Sequence, residues 1–285
     1  MGVDLTETDE AKRHAQRLFD YCMDIPNEVS LETLTKCNAR CTFCPYPQLE
    51  RVGNKMSDEL IDRLITEMAT WPRPFWFSPF KLSEALLDKR LYPILKRMNK
   101  EVPHALIRIF TNGGPLNWAN AEKLHDVNNL VLNISLNETD KDKYEALMGI
   151  PFERTLKNID ALHESDFRHP VTVQRVGYDP EFRDFVEDRW PRFANAQIKM
   201  EGWLGFIPGD WQVPDTFCAR WFELNITSEG KVVLCCMADG SKDEHYIGDL
   251  NKQTLLEVYN SPIWRARREK MMSRRDVPVC NTCSY

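Results

Sequence analysis

The segment Cys37-Asn38-Ala39-Arg40-Cys41-Thr42-Phe43-Cys44 constrains this chain more than any other. It puts three thiols on a short loop, directly after a strand-like run over 29–35. Three thiolates so placed can hold three irons of a four-iron cluster and leave the fourth iron open to a substrate or cofactor. Two other readings use the same residues: a zinc knuckle, or three buried, inert thiols. Structural zinc sites favour paired Cys-x-x-Cys units that close four ligands. No second pair and no histidine lies close to this loop.

Composition narrows the setting. A chain of 285 residues fits one large domain, or one with an appendage. Its net charge of −6, from 37 basic and 43 acidic residues, gives no electrostatic basis for nucleic acid or an anionic membrane as partner. The basic stretch over 264–270 is interrupted by Glu269 and reads as a solvated helix face. The first ten residues are acidic and lack the basic and apolar regions of a secretory signal. No apolar run reaches the roughly 18 residues that span a bilayer. Nine cysteines without a signal peptide point to metal or catalysis rather than disulfides, and to a reducing cytoplasm.

Along the chain, strand and helix signals alternate. Residues 9–23 read as an amphipathic helix with Ala15, Leu18, Phe19 and Cys22 on one face. Strands are expected at 29–35, 75–80, 104–110, 130–136, 171–176 and from 197. Helices are expected through 68 from an N-cap at Ser57, at 88–99, through 125 from Asn117, at 140–148, 152–164 and 180–193. Six βα repeats predict a parallel sheet with helices outside, and apolar strands predict burial on both faces. Alternation alone does not separate a partial barrel from a doubly wound sheet. Either way, chemistry gathers at the carboxyl ends of the strands, where the cysteine loop falls.

After residue 200 the alternation stops. Cys218, the pair Cys235-Cys236 and Cys280-x-x-Cys283 follow. A hairpin over 222–226 and 231–234 turns at Ser228-Glu229-Gly230, and a helix is expected from 254 to about 271. Four of these thiols can close a zinc site or hold an iron–sulfur cluster. Neighbouring side chains on a strand face opposite ways, so only one of Cys235 and Cys236 is expected to reach that site.

Cys-x3-Cys-x-Phe-Cys, with its aromatic before the third cysteine, resembles the signature of the radical S-adenosylmethionine (radical SAM) enzymes. The resemblance implies a partial (β/α)6 barrel. It implies a [4Fe–4S] cluster on Cys37, Cys41 and Cys44, with S-adenosylmethionine on the open iron near Phe43. Reductive cleavage then gives a 5′-deoxyadenosyl radical that takes a hydrogen atom from substrate. Other strand ends resemble the family too. Glu84 matches the glutamate that binds the methionine amino group, although the two preceding glycines are absent. Thr111-Asn112-Gly113 looks like the family's Thr-Asn-Gly turn, and Ser135 matches a position that contacts the cofactor ribose. The spacing Cys218, Gly230, Cys235, Gly248-Asp249-Leu250 and a terminal Cys-x-x-Cys resembles the SPASM domain in its shortened twitch form. That implies a second [4Fe–4S] cluster on Cys218, Cys235, Cys280 and Cys283. The organisation expected is an N-terminal helical extension (1–27), the barrel (28–205) and a twitch domain of hairpin plus helix (206–285).

The function implied is oxidation or epimerisation of a polyhydroxylated small molecule: a sugar, aminocyclitol or nucleotide sugar. In the dehydrogenases of the family a base takes the hydroxyl proton and the auxiliary cluster takes the electron. An external donor of flavodoxin or ferredoxin type supplies the reducing electron. Arg175, Asp239 and Cys236 are the catalytic candidates. Arg175 either binds substrate or pairs with a carboxylate, Cys236 either packs or donates a hydrogen atom, and His245 reads as solvated. A peptide-modifying maturase is the alternative; only 28 residues precede the first strand, few for a peptide-recognition domain. A zinc-stabilised binding module is the remaining non-enzymatic reading.

Overall fold

A computed structural model of the chain describes residues 9–285; residues 1–8 and the side chains of residues 9–12, 14 and 15, Ala15 among them, lie outside the described residues. The elements in order are α1 (Asp9–Cys22), β1 (Glu28–Leu31), α2 (Asp58–Met68), β2 (Trp76–Ser78), α3 (Leu91–Glu101), β3 (Leu106–Thr111), α4 (Trp118–Leu124), β4 (Leu130–Ser135), α5 (Lys141–Met148), α6 (Phe152–Glu164), β5 (Val171–Val176), α7 (Pro180–Arg189) and β6 (Ala194–Ile198). A second group follows: β7 (Glu223–Ile226), β8 (Lys231–Val233), β9 (Tyr246–Asp249), α8 (Leu255–Tyr259) and α9 (Pro262–Glu269).

The helix starts follow from side-chain caps. Ser57 Oγ accepts from Leu60 N at 3.1 Å, Asn117 Oδ1 from Asn120 N at 3.0 Å and Asp140 Oδ1 from Lys143 N at 3.0 Å. The α3 start lies later than residue 88, because Asp88 instead accepts from Arg90 N at 2.9 Å. The helix expected from 254 to 271 is two: α8, closed by a Thr254–Glu257 capping box at its start, and α9, which opens on Pro262.

One sheet runs in the order β6-β5-β4-β3-β2-β1-β7-β8-β9. Strands β1 to β6 are parallel neighbours, as the βα alternation predicts. The sheet does not stop at β1. Strand β7 lies parallel beside it, with Glu28 opposite Glu223 and Leu31 opposite Ile226, and β8 and β9 extend it antiparallel. The second cysteine region is thus carried by the same sheet. Strand β6 begins at Ala194 rather than 197; it is a half-exposed edge without an apolar run to announce it.

The two faces differ. Val29, Phe77, Ile107, Ile109, Leu132, Ile134, Val173, Leu224 and Ile226 point to the helices and are fully buried. The opposite face carries Glu28, Ser30, Ser78, Arg108, Asn133, Gln174, Glu223 and Asn225 among the apolar Trp76, Leu106, Phe110 and Val131, so it mixes polar with apolar groups where the strands predict a continuous apolar layer. Glu67 of α2 accepts from Leu255 N at 3.0 Å and Leu256 N at 3.2 Å, anchoring the start of α8.

Two glycines make this docking possible. Gly230 turns the β7–β8 hairpin at φ +76°, and a Cβ there would stand 2.8 Å from Leu60 Cδ2 of α2. A Cβ on Gly248 would stand 2.5 Å from both Val258 methyls of α8. Gly230→Ala is expected to cost about 1–3 kcal/mol, from left-handed strain and the Leu60 contact. Urea unfolding checks it; an unchanged midpoint would show that the hairpin seats without that close approach.

Candidate functional site

The first three thiols lie at the carboxyl end of β1. Their loop is braced by Arg40 N and Thr42 N, which donate to Met148 and Leu147 carbonyls at 2.9 and 3.0 Å. Tyr46 Oη accepts from Cys37 N at 2.8 Å. Burial pushes Cys37 and Cys41 up to about 12, and each feels the charge of Cys44 as a further rise. The thiols therefore share one low-dielectric pocket. A cluster that deprotonates its ligands outright suits such thiols.

Glu84, Thr111 and Asn112 meet beside them. Glu84 Oε2 accepts from Asn112 N at 2.7 Å, and the Thr111 hydroxyl also donates to this carboxylate. Asn112 Nδ2 reaches Cys37 Sγ at 3.7 Å and Asn38 Oδ1 at 3.0 Å. Burial pushes the Glu84 carboxyl up to about 7. Phe43 is half-buried and packs on the main core beside Cys37 and Cys41. Ser135 Oγ accepts from Gln174 Nε2 at 3.1 Å. Asn38 and Gln174 were not singled out in the sequence; Asn38 sits inside the cysteine motif, and Gln174 has the strand parity of the polar face.

Cys218, Cys235, Cys280 and Cys283 are all buried, and all three others act on Cys235. Burial raises the pKa of Cys236, and Arg220, Glu223, Lys81 and Glu28 are the charges around it. Both cysteines lie past the end of β8, in a bend and a turn, so strand alternation does not divide the pair; Cys218, Cys280 and Cys283 act on Cys235, and Cys236 has the charged groups beside it. Among the described residues, no three His, Cys, Asp or Glu converge on one point as ligands of a single ion would. A four-iron cluster gives each thiolate its own iron, so single-point convergence is not its geometry.

The polar face of the sheet, its chamber side, carries a cluster of charges. Glu28 takes Ser78 Oγ at 2.5 Å and Arg108 at 3.2 Å, and Arg108 stacks 4.1 Å over Trp76. Glu223 pairs with Arg220 at 2.6 Å. Burial pushes Glu223 up to about 7, against the pull of Arg220. Both amide atoms of Asn225 and Nδ2 of Asn133 are buried without a partner. Such orphaned groups are rare in folded chains unless a ligand or water meets them.

One alternative is resolved and two expectations are corrected. Arg175 has the parity of the helix-facing residues and pairs with Asp179, over the ring of Phe182; it does not face the chamber. Asp239 is held in its own turn by Ser241 N at 2.9 Å and Oγ at 2.7 Å, and by His245 at 3.1 Å. Burial opposes its ionisation, but these bonds win and hold it well below the usual carboxylate range. His245 is buried rather than solvated.

The chain matches the Radical SAM superfamily over residues 31–188 and the SPASM iron–sulfur cluster-binding domain over residues 218–284. It is 31% identical over 300 residues to a probable GTP 3′,8-cyclase of Thermoplasma volcanium, covering 81% of this chain and 88% of that protein. Two solved structures share its fold at 14% identity. BtrN in complex with AdoMet and 2-DOIA superposes with a TM-score of 0.65, over 92% of this chain and 94% of that one. Streptococcus suis SuiB bound to precursor peptide SuiA gives 0.68, over 96% and 73%. No helix among the described residues is long and apolar enough to cross a membrane.

Glu84→Gln is expected to weaken S-adenosylmethionine binding at least tenfold, read by equilibrium dialysis of reconstituted protein. Wild-type binding should also fall as pH drops through about 7, where Glu84 takes its proton. In the cofactor-free chain the sign reverses. A buried carboxyl raised from 4.5 to about 7 removes stability as pH rises across that window. The glutamine variant should lack this dependence and unfold no earlier than wild type at pH 8. Undiminished binding by the variant would remove Glu84 from the site.

Proposed function

Because this chain belongs to the radical SAM superfamily, with two [4Fe–4S] clusters and S-adenosylmethionine as cofactors, we propose that it oxidises or epimerises a polyhydroxylated small molecule. The class is a sugar, aminocyclitol or nucleotide sugar. When bound to the first cluster and reduced by an external donor, S-adenosylmethionine supplies a 5′-deoxyadenosyl radical.

The residues divide the work. Cys37, Cys41 and Cys44 hold the first cluster, and Cys218, Cys235, Cys280 and Cys283 the auxiliary one. Glu84, with Thr111 and Asn112 fixing its carboxylate, receives the methionine ammonium. Ser135, oriented by Gln174, meets the ribose, and Phe43 covers the cofactor. Glu223 replaces Asp239 as the proton acceptor for a substrate hydroxyl. A carboxyl near 7 is poised for general base work at neutral pH. Cys236 lies beside it and would give a hydrogen atom to a substrate radical, its S–H bond breaking as the substrate C–H bond forms, with an electron from the external donor and a proton then restoring the thiol.

The observation that carries this reading is the cluster of polar groups on the chamber side of the sheet. Its paired charges and the unpartnered amides of Asn225 and Asn133 suit a small ligand with many hydroxyl groups. The GTP in the name of the Thermoplasma relative is a nucleoside triphosphate, which shares only a hydroxylated sugar with this class. The shared fold does not choose, since BtrN holds 2-DOIA and SuiB holds a precursor peptide.

The test uses anaerobically reconstituted enzyme with deuterated sugars, aminocyclitols, nucleotide sugars and GTP, and with peptides as the opposing arm. Deuterium is expected in 5′-deoxyadenosine from a polyhydroxylated compound; transfer from peptides alone would move the chain to the maturase reading. Glu223→Gln should cut product formation at least 100-fold while 5′-deoxyadenosine still forms. Wild-type turnover should decline as pH falls through about 7. Cys236→Ala separates the two outcomes: it should abolish an epimer and leave an oxidised product unaffected.

A further inference from the structure

Lys81 is not used by any role described so far. It follows β2, on the step that leads to Glu84, and its side chain is only 7% exposed. A buried ammonium needs acceptors for three donors and a counter-charge. Among the described residues it makes one hydrogen bond, from Nζ to the Cys236 carbonyl at 3.1 Å. No carboxylate closes an ion pair with it: Glu32, whose charge acts on Lys81, is already taken by Arg51 at 3.1 Å. Two donors are left over, and burial pulls the Lys81 pKa down, so its positive charge calls for an anionic neighbour.

Its position says what answers them. The Cys236 carbonyl is one residue from Cys235, and the charges of Cys235 and Cys236 both act on Lys81. On its other side Lys81 acts on Cys44. The next residue, Leu82, packs with Tyr46 and Leu49 against Cys37 and Cys44. Glu84 N then donates to the Lys36 carbonyl at 2.8 Å, one residue before Cys37. The Lys81 segment is thus wedged between the two thiol sets.

We propose that the Lys81 ammonium is the charge shared by the two clusters, and that it holds the auxiliary cluster at a higher reduction potential. The inference rests on the assignment of Cys218, Cys235, Cys280 and Cys283 as that cluster's ligands. Four thiolates bring net negative charge into a buried site, and reduction adds one more. A fixed cation lowers the cost of that addition. Oxidising a carbinol radical to a carbonyl releases one proton and one electron. The proton goes to a base in the chamber, and the electron needs an acceptor whose reduced state is stable. Lys81 makes the auxiliary cluster such an acceptor.

The experiment is a potentiometric titration of the reconstituted holoenzyme followed by electron paramagnetic resonance. The signal that does not change on adding S-adenosylmethionine reports the auxiliary cluster. Lys81→Met is expected to lower its reduced-to-oxidised ratio at least tenfold at a fixed potential. For a one-electron couple that is a shift of about 59 mV. Lys81→Arg should keep the wild-type value. Lys81→Gln, which still offers a donor to the Cys236 carbonyl, serves if the methionine variant takes up less iron. An unchanged potential at full iron content overturns the proposal. So does an unchanged potential with weakened substrate binding, which would make Lys81 a contact for an anionic substrate group. Absence of any signal insensitive to S-adenosylmethionine in wild type would instead fault the ligand assignment, and the proposal with it.

Discussion

The carboxylate of Glu32 holds the two halves of the chain in register. It lies one residue past β1 and is completely buried. It accepts from Leu82 N at 3.0 Å, Thr35 Oγ1 at 2.9 Å, Arg51 Nε at 3.1 Å and Ser228 N at 3.3 Å. Arg51 in turn donates to the Asp239 carbonyl. One charge thereby joins the first cysteine loop, the segment after β2, the β7–β8 turn and the loop after Cys236. A buried carboxylate is tolerated because its lone pairs are met and its charge is answered by one guanidinium. Loss of either partner would leave the other ion buried and alone, a cost of about 3–5 kcal/mol.

The chamber is the complement of this knot. In a parallel α/β sheet one face is covered by helices, and here that face has the expected apolar packing. The other face is free to carry charge because it looks toward the two thiol sets rather than a second helix layer. Its ions are paired: Glu28 on β1 with Arg108 two strands away on β3, and Glu223 at the start of β7 with Arg220 just before it. The groups left without a partner there are the amides of Asn225 and Asn133 and the Nε of Arg220. The surroundings fit a ligand rich in hydrogen-bonding groups.

Much of this was legible in the sequence, for reasons that can be named. Local signals survived: Ser57 and Asn117 cap the helices they are expected to cap, because a cap needs only its own first turn. The strand-end residues Glu84, Thr111 and Asn112 do meet beside Cys37, because parallel strands bring their carboxyl ends together. Non-local pairing was not legible. Nothing in residues 223–226 announces β1 as their partner, since parallel register is fixed by packing far away in the chain. Parity misled at Arg175, where the residue before it, Gln174, holds the chamber position. Lys81 and Glu223 were passed over because a single charged residue at a strand end looks like surface until its burial is known. His245 was read as solvated for the same reason.

The pairing of β7 with β1 also has a consequence for how the chain is made. Thr35 and Ser228, whose hydroxyls meet at 2.6 Å, are 193 residues apart. Contacts of that separation form late, after loop closure has been met by nearer ones. During synthesis β1 therefore presents an unpaired edge, with three thiols at its end, until most of the chain has left the ribosome. An open parallel edge is a template for wrong partners. The cell meets this protein as a nascent chain whose metal-binding loop is complete long before its neighbour strand exists. The order in which iron and the final hairpin arrive would then decide how much of the chain matures.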